Sequence, residues 1–410
     1  MKTDVQQLIP ALRFPEFEGE WVKQKLGEIC NKVGSGSTPR GGVEVYTKTG
    51  IPFIRSQNVI NNQLILDQVH IPQIIHLKMS GSKVLSNDIL LNITGGSIGR
   101  SCVVPDSFLE GNVNQHVSII RLKEYNSDFL QSFLSSFRGQ KLVFQSMTGS
   151  GREGLNFQSI REFKISFPSL PEQQKIASFL TTIDSRIQAL EKKKSSLEQY
   201  NKGVMQKIFT QEIRFKDEDG KDFPEWEEKK LGLLTYKVGK KNKENIEYPI
   251  YSINNQEGFR PQSEQFEGLD SNDRGYDISM YKIVYDKTFA YNPARINVGS
   301  IGYSFDLNQV IISSLYVCFK TTEDLEDLFL LVYLDNTKFN TDILRYQEGG
   351  VRQYLFYDNF SQIKIPLPSN AEQIKIANFV SVIDKKIALV NEQIEKTKAY
   401  KKGLLQKMFV

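Results

Sequence analysis

The stretch that decides the fold reads Glu172-Gln-Gln-Lys-Ile-Ala-Ser-Phe179, and it returns 200 residues later as Glu372-Gln-Ile-Lys-Ile-Ala-Asn-Phe379. The match continues without a gap through Ile183-Asp184, Ile187, Tyr200, Lys202-Gly203, Gln206-Lys207 and Phe209. Their partners are Ile383-Asp384, Ile387, Tyr400, Lys402-Gly403, Gln406-Lys407 and Phe409. Of the 38 positions from 172 to 209, 15 are identical in the second copy, well beyond chance. Upstream, Trp21-Val-Lys-Gln-Lys-Leu-Gly27 corresponds to Trp226-Glu-Glu-Lys-Lys-Leu-Gly232, and Arg13-Phe14 to Arg214-Phe215. Further echoes are Gly96-Ser-Ile-Gly99 with Gly299-Ser-Ile-Gly302, and Arg152, Leu155 and Ile165 with Arg352, Leu355 and Ile365. The chain is two copies of one unit, each a globular part followed by a tail. Two long repeats do not make a solenoid; they imply a pseudo-two-fold within one chain.

Each tail reads as a long helix. Apolar residues recur at Ile176, Phe179, Ile183, Ile187, Leu190, Leu197, Tyr200, Val204 and Ile208, and again at Ile376, Phe379, Ile383, Ile387, Val390, Ile394, Tyr400, Leu404 and Met408. In the first tail the spacings are all three, four or seven, the signature of a coiled-coil seam. Pro171 suits a first helical turn, where its missing N–H costs nothing; the second copy enters through Asn370-Ala371 instead. About 38 residues at 1.5 Å rise make a rod of about 57 Å. A single seam cannot bury itself, so the other seam, packed antiparallel, is the simplest partner. The plainer alternative is two amphipathic helices that merely cover the domains.

Before each tail, short apolar runs predict strands at Ile51–Ile54, Ile89–Ile93, Val117–Leu122, Lys164–Phe167, Ile283–Tyr285, Ser314–Phe319 and Ile363–Pro366. Gly-, Asn- and Ser-rich turns separate them, and Phe129–Gln145 and Leu325–Asn336 read as helices. The expected architecture is mixed α+β: two α/β domains, 1–168 and 211–368, separated by two long antiparallel helices, 169–210 and 369–410. At 410 residues, 40% hydrophobic and 11% aromatic, the chain has material for several cores.

Composition also narrows the chemistry. Cys30, Cys102 and Cys318 are odd in number and far apart, so neither a disulfide framework nor a zinc ribbon is available. Three histidines, His70, His76 and His116, are too scattered for a metal site. The first 14 residues lack the apolar core of a signal peptide, and the longest apolar run, Leu328–Leu334, is far below a membrane span. A reducing cytoplasm is the expected compartment. Gly149-Ser-Gly-Arg-Glu-Gly154 fits GxGxxG but follows a helical segment, so a loop is the better reading than a dinucleotide site. Asn292-Pro-Ala-Arg295 lacks the aromatic residue of an adenine-methylase motif, and Pro224-Glu225 with Glu228 and Lys230 is too tightly spaced for a nuclease triplet. No catalytic or metal residue is expected.

The turns, by contrast, carry the residue types that hold phosphates and read base edges. In the first half these are Arg40, Arg55, Gln57, Asn58, Thr94, Ser97, Arg100, Asn114, Gln115 and Arg152. In the second they are Lys240, Lys241, Lys243, Asn254, Asn255, Asn292, Arg295, Asn297, Ser300, Arg352 and Tyr354. Taken singly, any of them could simply fill a solvated turn. Together they share a framework and differ in most loop residues, as one scaffold built to read two different sequences would.

On the twin Glu-Gln-x-Lys-Ile-Ala-x-Phe helix starts, the Trp-x3-Lys-Leu-Gly starts and the twin Gly-Ser-Ile-Gly turns, the chain resembles the specificity subunits of type I restriction–modification systems over essentially its whole length. The resemblance implies two target recognition domains, each reading half of a bipartite double-stranded DNA site. It implies helices that set the spacer and dock two methyltransferase subunits, and restriction–translocase subunits through them. S-adenosylmethionine, ATP and Mg would then sit on those partners, and this chain would be non-catalytic. The alternative is a coiled-coil scaffold whose domains bind protein. Charge bears on this choice. The net +4 conceals +3 in residues 171–209 and +4 in 371–410, which leaves about −3 for the rest. Diffuse attraction to DNA would then reside on the rods, or their lysines are solvated flanks, while the domains depend on local loops.

Overall fold

The computed structural model describes residues 8–148, 154–265 and 268–410. The chain forms two compact units. One comprises residues up to Lys192 together with Val390–Val410, and the other Lys193–Leu389. Both boundaries fall inside the long helices α1 (Leu170–Phe209) and α2 (Asn370–Met408). Each unit therefore contains a globular part, the first half of one rod and the last half of the other.

The first unit has ten main strands: β1 (Val22–Lys25), β2 (Cys30–Ser35), β3 (Ile51–Ile54), β4 (His70–Ile71), β5 (Lys83–Val84), β6 (Ile89–Asn92), β7 (Ser101–Val103), β8 (Gly111–Val113), β9 (Val117–Leu122) and β10 (Lys164–Phe167). They form sheets in the orders β2-β9-β6-β7, β4-β3-β8-β5 and β1-β10. The second unit has β11 (Glu227–Lys230), β12 (Thr235–Val238), β13 (Ile250–Ile253), β14 (Phe259–Pro261), β15 (Lys282–Val284), β16 (Phe289–Tyr291), β17 (Ile301–Tyr303), β18 (Val310–Ile312), β19 (Val317–Thr321) and β20 (Lys364–Leu367). Its sheets run β12-β19-β16-β17, β14-β13-β18-β15 and β11-β20, the same order with ten added to every label. In each unit one of these pairings is parallel, β3 with β8 and β13 with β18.

Ladder partners give the register of the repeat. Leu91 faces Ser101 and Tyr291 faces Ile301, an offset of 200. Gly99 and Gly299 then fall at the same place before the β7 and β17 strands, with φ of +85° and +86° that favour glycine. The Gly-Ser-Ile-Gly echo is offset by 203 and is out of this register, so its likeness is accidental. The glycine the turn requires is Gly99 in one unit and Gly299 in the other.

The segment expected as one helix over Phe129–Gln145 is two, Ser127–Ser135 and Phe137–Gln145. Ser136 breaks it by capping the second helix, its Oγ accepting from the Gly139 N–H at 3.1 Å. A Cβ on Gly139 would lie 2.0 Å from the Phe133 carbonyl oxygen, so the corner demands glycine. In the second unit Asn336 does the same between Asp327–Leu334 and Thr337–Tyr346.

The repeated helix-start motif is a lock. Glu172 is buried at the start of α1 and accepts from Arg13 (Nε 2.8 Å, Nη2 2.7 Å) and from the Trp21 indole at 3.2 Å. Glu372 accepts from Arg214 (3.3 and 3.1 Å) and from the Trp226 indole at 2.9 Å. The Gln173 amide oxygen takes the Asn126 N–H, and the Gln373 amide oxygen takes the Glu326 N–H. Phe179 and Phe379 meet Phe14 and Phe215 edge-on at 5.7 and 5.5 Å. Three separate echoes in the sequence are thus one interaction, made twice, which fixes each rod to its globular part.

The seam is broader than its heptads suggest. Ile176, Ile183, Ile187, Val390, Ile394 and Leu404 are buried in the first unit, with Leu190 half-buried. In the second, Ile376 and Ile383 are buried, and Leu197, Val204 and Ile387 are half-buried. Phe179 and Phe379 are spent on the lock instead. Tyr200 and Tyr400 are exposed, while Leu180, Met205, Val380 and Leu405, which the heptad spacing passes over, are buried. Each half-rod packs against its globular part as well as the other half-rod, and that needs a wider apolar stripe. Antiparallel pairing is explicit in the first unit, where Asp184 meets Lys401 and Glu191 meets Lys398.

Candidate nucleic-acid interface

Ion pairing sorts the arginines. Arg13, Arg121, Arg214 and Arg260 are bound to Glu172, Asp88, Glu372 and the pair Glu257/Glu264. Arg55 belongs with them, because its Nη2 lies 2.5 Å from Asp67 Oδ2, which also accepts from Gln57 at 3.0 Å. Arg55 and Gln57 therefore stabilise a loop before they can meet a ligand. Asn58 is buried, its Oδ1 taking the Arg55 N–H and its Nδ2 donating to the Ile65 carbonyl; it is structural. Asn114 and Ser300 are corrected on the same ground. Both are buried, Asn114 Oδ1 accepting the His116 N–H and Ser300 Oγ donating to the Ile253 carbonyl. Asn254 and Asn292 use their side-chain oxygens on local backbone N–H groups, as turn asparagines do. Ser97 accepts from Asn92.

Of the arginines expected from sequence to meet DNA, Arg40 and Arg100 in the first unit and Arg295 and Arg352 in the second are exposed with no ion pair among the described residues. Lys240, Lys243, Asn255 and Asn297 are exposed as well; Lys241 only approaches the Met280 sulfur at 3.9 Å. Arg152 lies outside the described residues.

The loops converge at the same place in both units. The Leu155 N–H donates to the Ile93 carbonyl and the Leu355 N–H to the Pro293 carbonyl, each at 2.9 Å. This ties Leu155 and Leu355 to the turn that follows β6 or β16. In the first unit that turn lines a cleft of about 820 Å³ with Thr94, Gly95, Gly96, Ile98, His116, Phe144 and Met147. A polar chain runs beside it. Thr38 Oγ1 donates to Gln115 Oε1 (2.6 Å), Gln115 Nε2 meets His116 Nε2 (3.2 Å), and His116 Nδ1 meets Thr94 Oγ1 (2.6 Å). In the second unit a cleft of about 820 Å³ gathers Asn292, Arg295, Asn297, Arg352 and Tyr354 with Leu315, Val351 and Phe356. Tyr354 and Phe356 stack there, centroids 5.6 Å apart and nearly parallel at 5°. Phe144, Leu315, Val351 and Phe356 are absent from the residues expected from sequence, because a search for polar base readers passes over apolar ones. The i, i+2 aromatic spacing of Tyr354 and Phe356 was the available signal.

Burial pushes the Cys30 and Cys102 thiols up to about 12 and Cys318 to about 11, far from a reactive thiolate. Among the described residues no group of three His, Cys, Asp or Glu could hold a metal, and no helix is long and apolar enough to cross a membrane.

The model of the type I restriction modification DNA specificity domain matches residues 18–199 and again 225–399, one match on each repeat. The chain belongs to this DNA specificity family. Among curated relatives it is 25% identical over 414 residues to the type I restriction enzyme MjaVIII specificity subunit of Methanocaldococcus jannaschii, covering 94% of this chain and 91% of that one. It is 31% identical over 150 residues to the EcoBI specificity subunit of Escherichia coli, 35% of this chain and 31% of that one. In fold it is similar to the type I restriction–modification S subunit from M. genitalium, with a TM-score of 0.61, 16% identity and coverage of 98% and 99%. As a member of the specificity family, the chain supplies DNA sequence recognition to a type I system.

Proposed function

We propose that each globular part, 1–168 and 211–368, reads one half of a bipartite double-stranded DNA site, and that α1 and α2 act as a pseudo-two-fold, antiparallel ruler between the halves. The observation that carries this reading is the identical strand order of the two units, combined with loop residues that differ. A scaffold that kept one fold and varied its loops meets two sequences with one geometry. Arg295 and Arg352 at the second cleft, and the exposed Arg40 and Arg100 of the first unit, supply phosphate and base contacts, and lysines along the rods add diffuse attraction. The rods' exposed faces dock two methyltransferase subunits, and translocase–nuclease subunits through them. S-adenosylmethionine, ATP and Mg are the partners' cofactors. The chain itself contributes recognition and no chemistry, and works in the cytoplasm.

The test is a footprint of the reconstituted specificity–methyltransferase complex. Two protected half-sites flanking a sequence-tolerant spacer are expected, about a helical turn apart. One continuous protected sequence with no tolerant centre sinks the reading. Removing matched lengths from α1 and α2 shortens the preferred spacer; an unchanged spacer removes the rods from the role of ruler.

A further inference from the structure

We propose that the loop from Glu348 to Tyr354 is the base-reading finger of the second unit, with Arg352 specifying a guanine and Val351 contacting the thymine methyl of a neighbouring base pair. The proposal rests on the half-site reading above and deepens it for one unit.

The loop is built to hold its shape. Reciprocal backbone hydrogen bonds between Glu348 and Tyr354, at 2.9 and 2.8 Å, close its neck. Gly349 has φ +124°, and a Cβ there would lie 2.3 Å from the Arg352 carbonyl oxygen, so the turn is possible only with glycine. Behind the neck Leu355 is fully buried and hydrogen-bonded to Pro293, while Tyr354 stacks on Phe356. At the tip Val351 is fully exposed. Arg352, next to it, is exposed with no carboxylate partner among the described residues, whereas Arg260 has two and Arg345 has Asp342. A rigid turn that projects an apolar residue and an unpaired guanidinium side by side matches adjacent T·A and G·C pairs. Guanine offers O6 and N7 to a bidentate arginine, and thymine offers its methyl to an apolar contact. Arg295 and Asn297 on the facing turn hold the backbone alongside.

The experiment uses the full complex with its methyltransferase partners and competition binding on a set of duplexes carrying every single base change in the site. Arg352→Ala is expected to lose about 10- to 100-fold of its preference for guanine at a single position of one half-site, with the other half-site unaffected. Replacing the neighbouring thymine by uracil, which removes only the methyl group, weakens the parent complex and leaves Val351→Ala unchanged. Uniform weakening of all duplexes by Arg352→Ala, with a salt slope reduced by about one, makes Arg352 a phosphate contact and overturns the proposal. Equal sensitivity of parent and Val351→Ala to uracil overturns the thymine contact. If the parent complex itself shows no bipartite preference, the half-site reading fails instead. Both residues are exposed, so neither variant is expected to unfold the unit; thermal denaturation of each confirms it.

Discussion

The two units answer the same requirement with different side chains. In the first, Asp184 of α1 is held by Lys401 of α2 at 2.5 and 2.6 Å, an ion pair with little solvent access. In the second, Asp384 of α2 is met by Asn201 of α1 at 2.9 Å, and Asp335 lies near enough to repel it. The globular parts diverge in the same manner. Beside one cleft runs a chain of side-chain hydrogen bonds, Thr38–Gln115–His116–Thr94, where the other cleft has Arg295, Arg352 and a stacked aromatic pair. What does not diverge is the lock at the start of each rod. Framework is repeated where a rod must meet its domain, and side chains differ between the rods and in the clefts.

The largest expected effect tests what is shared. Glu172→Ala or Glu372→Ala leaves a guanidinium and an indole N–H without their buried acceptor. About 3 kcal/mol of stability is lost in the affected unit. Hydrogen exchange resolved by unit should show near-equal losses at equivalent positions. A loss confined to one of the two would mean that the lock is not one device made twice. Lys401→Ala comes next, at about 2 kcal/mol, because Asp184 keeps its charge with no counter-ion. Asn201→Ala removes only a neutral donor and costs about 1 kcal/mol or less. Denaturant midpoints of the two variants rank them, and equal losses would erase the difference between the units.

Much of this was legible in the sequence, for a physical reason. A rod that must dock on its own domain repeats its contacts residue by residue, so Glu172/Glu372 and Trp21/Trp226 stand out at fixed offsets. Strands such as Val117–Leu122 and Lys164–Phe167 could be bounded from apolar runs alone. The break at Ser136 could not, because a serine inside an apolar helix pattern signals a cap only once the corner at Gly139 is known. The site was less legible than the fold. Arg55, Asn58 and Ser300 are residue types suited to base contacts, but sequence does not show that Asp67, Ile65 and Ile253 already occupy them. The out-of-register Gly-Ser-Ile-Gly echo is the complementary error, since short motifs rich in small residues recur without sharing a place in the ladder.

That distinction between engaged and free arginines is itself testable at an intermediate scale. Arg100→Ala is expected to weaken DNA binding of the assembled complex about tenfold, about 1.4 kcal/mol, with stability unchanged. Arg55→Ala is expected to lower the first unit's stability by about 0.5 kcal/mol, through the partly exposed pair with Asp67, and to change DNA affinity little. Filter binding and thermal denaturation of both variants decide it. If Arg55→Ala carries the larger binding loss, ion pairing in the free chain is a poor guide to which arginines meet DNA.

The smallest effect is the sharpest on the comparison, because it predicts opposite signs for one substitution. Burial, and then repulsion from Asp335, raises the Asp384 carboxyl above its ordinary range, against the opposing hydrogen bond from Asn201. Asp335 is raised by burial too, against the pull of Lys202. A carboxyl with a folded-state pKa above its unfolded value binds its proton more tightly when folded. Stability of the second unit therefore falls as pH rises through the window just above the ordinary carboxylate range, and recovers below it. Asp384→Asn removes that penalty and keeps a hydrogen-bonding partner for Asn201. It is expected to stabilise the second unit at neutral pH by a few tenths of a kcal/mol, discounted because the carboxylate is partly solvated. Asp184→Asn at the matching place discards the pairing with Lys401 and destabilises the first unit. Urea midpoints for each unit at pH 4.5 and pH 7 separate the outcomes: the Asp384→Asn gain shrinks at the lower pH. A gain from Asp184→Asn, or a loss from Asp384→Asn at pH 7, would mean that charge on this layer of the rods is managed alike in both units.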